Sequence, residues 1–266
     1  MPASYTHYRF GCDVLAALPE ALQAKLMPHR SLFDIGLHGP DIFFYTNPLV
    51  KNPVARLGYA MHKHPGQSVF GRFLALYDGS AEAFAYLAGF LCHFALDSLC
   101  HGYLTQMEAL GMSHARLETQ LDRSLMLQDG KDPMTTDPVT HIRPTHQNAR
   151  VLARFFPQLN EQTVRKSLEQ MLFYHHLLMA PNSPKRKLLE TAFRVLNAED
   201  SFGAMVMTER GIPACKQMVQ RLQLLYASAL PLAVTLIEAF PDLSHPQYHY
   251  DFDGQLHGSR SERGAP

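Results

Sequence analysis

Charge of one sign is what this sequence lacks first. Its 24 Lys and Arg are matched by 24 Asp and Glu across 266 residues, so with histidine neutral the net charge is zero. That balance removes the basic excess through which nucleic-acid-binding proteins meet a phosphate backbone, leaving only weak or local binding of that kind. Tryptophan is absent altogether. No run reaches the ~18 uninterrupted apolar residues of a membrane span, so no transmembrane segment is predicted. The opening stretch MPASYTHYRFGCDVLAAL has no basic region ahead of an apolar one and predicts no secretory signal. Cysteine occurs only at 12, 92, 100 and 215, in apolar segments that follow no disulfide framework. Reduced thiols in a cytoplasmic setting are therefore expected. With 46% hydrophobic and 10% aromatic residues, neither a disordered nor a fibrous class fits.

Alternating strand patterns and fixed-period repeats are missing as well. What is present is helical periodicity punctuated by glycine and proline. It predicts helices over 6–17, 21–27, 52–63, 68–77, 81–106, 114–127, 145–156, 160–179, 184–196 and 213–240, with Pro231 as the place for a bend in the last. Ser80 and Ser113 stand where caps belong, and Glu82 falls in the first turn after Ser80. Residues 34–53 carry too much Gly, Asn and Pro for a long element and read mostly as loop. The expected fold class is all-α, with one helical domain over 1–240, an irregular tail over 241–266, and 128–144 the only candidate boundary within. His245, His249 and His257 fall in that tail and are expected to be solvated.

The stretch GFLCHFALDSLCHGYL, residues 89–104, places His93, Asp97 and His101 at intervals of four. On a helix they form one stripe, in which His93 and His101 lie about 12 Å apart along the axis. That is too far to meet on one ion through bonds near ~2 Å. The stripe suits more than one metal, with Asp97 bridging and each histidine serving a different ion. Without metal, these are ionisable groups in a segment with no Lys or Arg from 83 to 105, and they need ordinary polar partners.

His114 and Glu118 follow, again four apart, after a short turn containing Gly111. Such a turn returns the chain antiparallel and brings the pair toward His101, making a His, His, carboxylate set with an open position for water. Upstream, Asp41 follows the rigid Gly39-Pro40 turn. His62 and His64 close a helix before Pro65 and point differently, so one ligand is expected there: His62, with His64 the pocket-lining alternative. His7 lies on the first predicted helix, where a surface role is equally open. Of His175 and His176, one is expected in the core. His141 and His146 are minor candidates for lining the pocket, and Cys92 and Cys100 lie on other faces of the ligand helix.

Taken in order, THxxxG at 6–11, GPD at 39–41, a histidine ahead of a long helix, HxxxDxxxH and HxxxE resemble the zinc-dependent phospholipase C family. That family includes prokaryotic phospholipases C and the amino-terminal region of glycosylphosphatidylinositol-specific phospholipase D. Single-strand-specific zinc nucleases are similar in ligand order and fold. The motifs cover residues 5–120, and the remainder resembles the family by architecture alone. The resemblance implies a multi-helical bundle holding two zinc ions and a third. It implies Asp41, His62, His93 and Asp97 on one ion of a close pair, with Asp97 shared. His101, His114 and Glu118 match the ligands of the remaining zinc, and His7 that of the third. Two departures stand out. Secreted members begin with a tryptophan whose amino group and carbonyl chelate the third zinc, whereas here six residues precede His7 and no tryptophan exists, so that ion is absent, weak or completed by water. Those members also have a longer interval between the counterparts of Asp97 and His101.

The implied activity is hydrolysis of a phosphate ester, foremost a phospholipase C-like phosphodiester cleavage in which zinc activates water for attack on phosphorus. Asp41 is the carboxylate placed to orient that water or accept its proton. His38, His64 and Arg116 are candidates for contacting substrate oxygens. The run PDIFFYTNPLV either rims the site for a lipid or is a loop buried against the helices. A zinc nuclease, for which eleven tyrosines supply stacking aromatics, and a small-molecule phosphoesterase are the alternatives. A metal-binding helical protein with a degenerate site is the reading without turnover.

Overall fold

Ser80 opens the longest helix: its hydroxyl accepts from the Ala83 N–H at 3.2 Å, and the helix runs from Ala81 to Ala109. Every residue from Ala83 to Ser98 is buried. A helix apolar all round can only be the centre of a bundle or a membrane span, and here the other helices wrap it. In the computed structural model, which describes residues 3–48 and 50–257, the helices are α1 (Ser4–Ala17), α2 (Glu20–Leu26), α3 (Arg30–Gly36), α4 (Pro53–His62), α5 (Gly66–Leu76), α6 (Ala81–Ala109), α7 (His114–Gln128), α8 (His146–Phe155), α9 (Glu161–Leu178), α10 (Ser183–Val195) and α11 (Lys216–Ala239). Among the described residues there is no strand, only an isolated bridge between Tyr250 and Leu256, and the fold is all-α as expected.

Helices α3 and α11 lie along α6, and α1, α2, α7 and α8 complete its coat. Helix α11 continues through Pro231 and turns Val219, Leu222, Tyr226, Ala229, Ala233 and Leu236 inward at helical spacing. By length and composition alone, α6 and the segment Pro213–Ala239 could each cross a membrane; 94% of the α6 window is buried within the protein itself. Val139 and Ile142, from the polar interval after α7, are buried in the same apolar cluster as the helices before and after it.

Two stretches differ from the sequence expectation. Residues 34–53 hold no long element, as expected, but they are not a solvated loop: α3 ends at Gly36, a 3₁₀ turn covers Gly39–Phe43, and Ile42, Phe43, Phe44 and Tyr45 are buried. The run PDIFFYTNPLV is thus buried against the helices through Tyr45 and forms no lipid rim there, because four adjacent large apolar side chains gain more from the core than from water. The segment after Phe240 is irregular but not a solvated extension. Tyr248 and Phe252 are fully buried, and Phe252 meets Phe94 with centroids 5.0 Å apart. His257 pairs with buried Asp251 at 2.8 Å. Residues 258–266 of the expected tail lie outside the described residues.

Candidate metal centre

Four elements converge on the middle of α6. Its register puts His93, Asp97 and His101 on one stripe, and all three are buried. The amino terminus of α1 supplies His7. No side chain of α1's own caps that end. Asp122 of α7 does so instead, accepting from the Thr6 N–H at 2.8 Å, the Thr6 hydroxyl at 2.6 Å and the Tyr5 N–H at 3.4 Å. The free amides at a helix start favour a carboxylate there. Because Asp122 lies one turn beyond Glu118, the same contact sets His7 and Glu118 relative to each other. Burial raises the Asp122 carboxyl to about 6 despite these donors.

Asp41 arrives on the 3₁₀ turn after α3. Gly39 makes that approach possible: its φ is +47°, and a Cβ there would fall 2.3 Å from a carbon of the His93 ring. His62 closes α4 with its Nε2 3.1 Å from Asp41 Oδ1. His101, His114 and Glu118 meet where α6 turns into α7, whose first turn is capped by Ser113 accepting from the Arg116 N–H at 3.3 Å.

Asp97 sits at the centre of the array. Its Oδ1 faces His7 Nε2 at 3.3 Å and His101 Nε2 at 3.6 Å, and its Oδ2 faces His93 Nε2 at 3.0 Å and His62 Nε2 at 3.8 Å. At the far end, Glu118 Oε1 is 3.3 Å from His114 Nε2 and 3.7 Å from His101 Nε2. Three sets have donor atoms within 4.8 Å of one another: His7, His93 and Asp97; Asp41, His62 and His93; and His101, His114 and Glu118.

These atoms are close but not bonded to one another. Of the thirteen buried side-chain nitrogen and oxygen atoms without a hydrogen-bond partner among the described residues, eight belong to these eight residues: the inward Nε2 of His62, His93 and His114, one oxygen each of Asp41, Asp97 and Glu118, and the outer Nδ1 of His7 and His101. A buried polar atom left unpaired costs about 1–3 kcal/mol, so such a concentration calls for a common partner. Donors aimed at a shared point rather than at each other are what a cation requires, and the mixture of imidazole and carboxylate suits zinc. The second nitrogens agree. The Nδ1–H of His62 donates to Gly58 O at 3.0 Å and that of His93 to Leu37 O at 3.2 Å. A carbonyl can only accept, so the neutral form of each ring carries its proton on Nδ1 and leaves Nε2 free for a metal.

Seven of the eight are buried and His114 is partly open, its side chain 20% exposed. Beside it lies an open depression of about 530 Å³ lined by Glu108, Met112, Ser113, His114, Glu118 and Asp200. Inside, a cavity of about 20 Å³ bounded by His7, Asp97, His101 and Glu118 has room for a water-sized species.

Burial alone would raise the carboxyls and lower the imidazoles; their mutual charge outweighs it at most positions. Burial acts against ionised Asp97, but His101, His93 and His7 hold it well below the usual range. Glu118 is held low by His114 and His101, and Asp41 by His62 and His93, in each case against burial. His7, His62, His101 and His114 are raised above the ordinary 6.5 by the neighbouring carboxylates despite burial, whereas His93 is lowered by burial. In the metal-free protein the four raised histidines contribute stability that is fully present below 6.5 and is lost as pH rises through their folded values. A metal must displace those protons. Titration calorimetry in buffers of different ionisation heat is therefore expected to show protons released on zinc binding, more at about pH 6 than at about pH 8, with affinity falling as pH falls. Zinc uptake without proton release would contradict the histidine assignment.

A family model described as zinc dependent phospholipase C matches residues 6–168, which contain all eight donors. The chain belongs to that family. The family is one of zinc-dependent phosphoesterases, and the donor set fits its metal. Among curated proteins and among solved structures, no match to this chain is found.

The other candidates are placed elsewhere. His38 is buried with its Nε2 2.7 Å from His141 Nε2, and His141 in turn stacks on Tyr8 at 4.0 Å, so neither ring faces an opening. Burial lowers both, His141 to about 3. His64 lines a separate depression with Leu57, Met61, Arg72 and Phe156. Arg116 is two residues from both His114 and Glu118 and so stands on a different face of α7; burial lowers it, offset by Cys215, Asp200 and Glu190. His146 is exposed and bonded to Glu161, while His175 is buried, its Nδ1–H donating to Met171 O at 2.9 Å. Burial pushes the Cys92 and Cys100 thiols up, away from the thiolate a metal needs.

One neighbour of the centre went unread in the sequence. Asp253, from the segment after α11, stands 3.7 Å from His101 Nδ1, and its other oxygen accepts from Lys63 at 2.5 Å. Burial alone would raise it, but His101 and Lys63 hold it at about 2. The available signal was the cluster of Tyr248, Tyr250 and Phe252, three large aromatic residues within five positions, more than a solvated tail carries.

Proposed function

We propose that the chain is a zinc-dependent phosphodiesterase of phospholipase C type, acting on a phosphodiester lipid. The observation that carries the reading is the gathering of eight histidine and carboxylate side chains into three sets whose donor atoms lie within 4.8 Å of one another. In this reading Asp41, His62 and His93 with Asp97 hold one ion, and His101, His114 and Glu118 hold a second. His7 belongs to a third set with His93 and the shared Asp97. Zinc, when bound, lowers the pKa of water to near ~7 and neutralises phosphate oxygens. The chain's own contribution is to hold the donors in place, exclude bulk water on all sides but the His114 depression, and orient the reacting water from Asp41. Asp41 is held ionised, which suits orienting a water better than storing its proton.

Two leucines support the lipid assignment. Leu110, 75% exposed, immediately precedes Gly111 of the depression, and Leu196, 69% exposed, lies four residues before Asp200, another of its lining residues. Exposed large aliphatic side chains flanking a site suit an acyl-chain surface better than a polynucleotide. The neutral net charge points the same way. The reading keeps a single catalytic domain and a cytoplasmic setting, the latter supported by four free cysteines, three of them buried.

The test is hydrolysis by protein purified without a histidine tag. Zinc-restorable release of the phosphorylated headgroup from phospholipid vesicles is expected, with single-stranded nucleic acid cut far more slowly. Faster cleavage of nucleic acid would replace this reading with a nuclease. Leu110→Glu and Leu196→Glu are each expected to slow hydrolysis of vesicles on the order of tenfold while sparing a soluble short-chain phosphodiester, since burying one leucine is worth about 1.5–3 kcal/mol.

A further inference from the structure

The segment after α11 folds back over α6 through a 3₁₀ turn at Pro246–His249 and a reversal closed by the Tyr250–Leu256 bridge. Asp251 holds the reversal, accepting from the Gln255 N–H at 2.8 Å and facing His257 at 2.8 Å. Asp253 stands at its tip. Gly254, with φ +73°, seats the tip on α6: a Cβ there would lie 2.9 Å from Ser98 O and 3.0 Å from Gly102 N. That seating brings a carboxylate behind His101, on the side away from Asp97.

His101 is the one α6 histidine whose Nδ1 has no carbonyl. The Nδ1 of His62 and of His93 each meets a backbone oxygen, and that of His114 faces Glu108 Oε2 at 3.5 Å. His101 Nδ1 is buried without a hydrogen-bond partner, and the oxygen nearest to it in an ion pair is Asp253 Oδ1 at 3.7 Å. Its Nε2 is turned the other way, toward Asp97 and Glu118. Among the described residues Asp253 is otherwise paired only with Lys63, whose side chain is 75% exposed, so turning the aspartate toward Nδ1 gives up no buried partner. A metal-bound imidazole donates its second N–H to an oxygen in nearly every such site, which fixes its tautomer and tilt.

We propose that Asp253 is the positioning residue of His101, supplied by the carboxyl-terminal strap to hold the ring with Nδ1 protonated and Nε2 facing the His101–His114–Glu118 site. The inference rests on the zinc reading above. It assigns a role in the centre to a residue outside the matched region 6–168 and makes that site depend on docking of the strap.

The test compares wild type, Asp253→Asn and Gly254→Val, each stripped of metal and titrated with zinc against a chromophoric chelator. The His101 tautomer is read in parallel from ¹H–¹⁵N histidine correlations. Asp253→Asn preserves shape at a partly exposed loop tip and is expected to fold as wild type, checked by its melting curve. One zinc equivalent should weaken by about 10–100-fold while the other holds, with loss of the single Nδ1–H tautomer at His101. Gly254→Val, which keeps the carboxylate but lifts the tip, should reproduce that pattern. Equal zinc affinity and an unchanged tautomer in Asp253→Asn would overturn the inference and leave the zinc reading standing. So would equal weakening of every equivalent. Wild type that takes up no zinc would overturn both, and the failure would be visible before any variant is made.

Discussion

Asp97→Ala is expected to empty the centre rather than merely weaken it. Among the described residues Asp97 is the only side chain whose two oxygens face different histidines, His7 and His101 on one side and His93 and His62 on the other. Removing it takes the ligand shared by the Asp41–His62–His93 ion and the His7 set and the carboxylate facing His101, so zinc measured by elemental analysis should fall from about two equivalents to about one or less. Phosphodiester hydrolysis should fall with it, on the order of 10³ or more, because removing a single charge-stabilising donor already costs 10²–10³. The fold should survive. The carboxylate holds the buried histidines raised and is itself held low by them, so removing it leaves those histidines without their counter-charge, and the metal-free variant is expected to melt below metal-free wild type. Zinc content unchanged by the substitution would remove the centre as described.

Phe252→Ala is expected to act through apolar packing instead, costing stability with or without metal. Phe252 is fully buried, with its ring against Phe94 at 5.0 Å, His62 at 5.6 Å, and Phe90 and His93 at 5.9 Å each. Truncating a buried phenylalanine costs about 3–5 kcal/mol, a large part of the stability of an ordinary domain. Urea unfolding of the metal-free variant should show that loss. Zinc should bind more weakly as well, because the same ring walls two of the histidines. A loss below about 1 kcal/mol would mean that the segment after α11 is peripheral, and the strap would lose its role in the site.

Local rules reach a long way in this chain. Periodicity, Ser80 and Ser113 place α6 and α7 almost to the residue, because helix caps and apolar spacing act within a few positions of the chain. Spacing alone also puts His93, Asp97 and His101 on one stripe. The GPD turn and the HxxxE pair are legible for the same reason, since a short turn leaves the chain few directions to go. Motif order, compared with a known family, picks out His7, Asp41 and His62, which no local rule connects.

Other features depend on contacts between distant segments. Nothing near Tyr5 and Thr6 announces that their amides are capped by Asp122, more than a hundred residues away. The loop Ile42–Tyr45 reads equally as rim or core until α6 and its neighbours supply the surface that buries it. His38 looks like a substrate contact by its nearness to Asp41, yet the fold gives its ring to His141. The segment carrying Phe252 and Asp253 has the composition of a tail, and it becomes part of the centre only because Gly254 lets its backbone lie on α6. The sequence by itself determined the helices, the ligand stripe and the donor types. Tertiary structure alone decided which donors meet and which carboxylate stands behind His101, because bonds to a common point depend on distances that no spacing along the chain encodes.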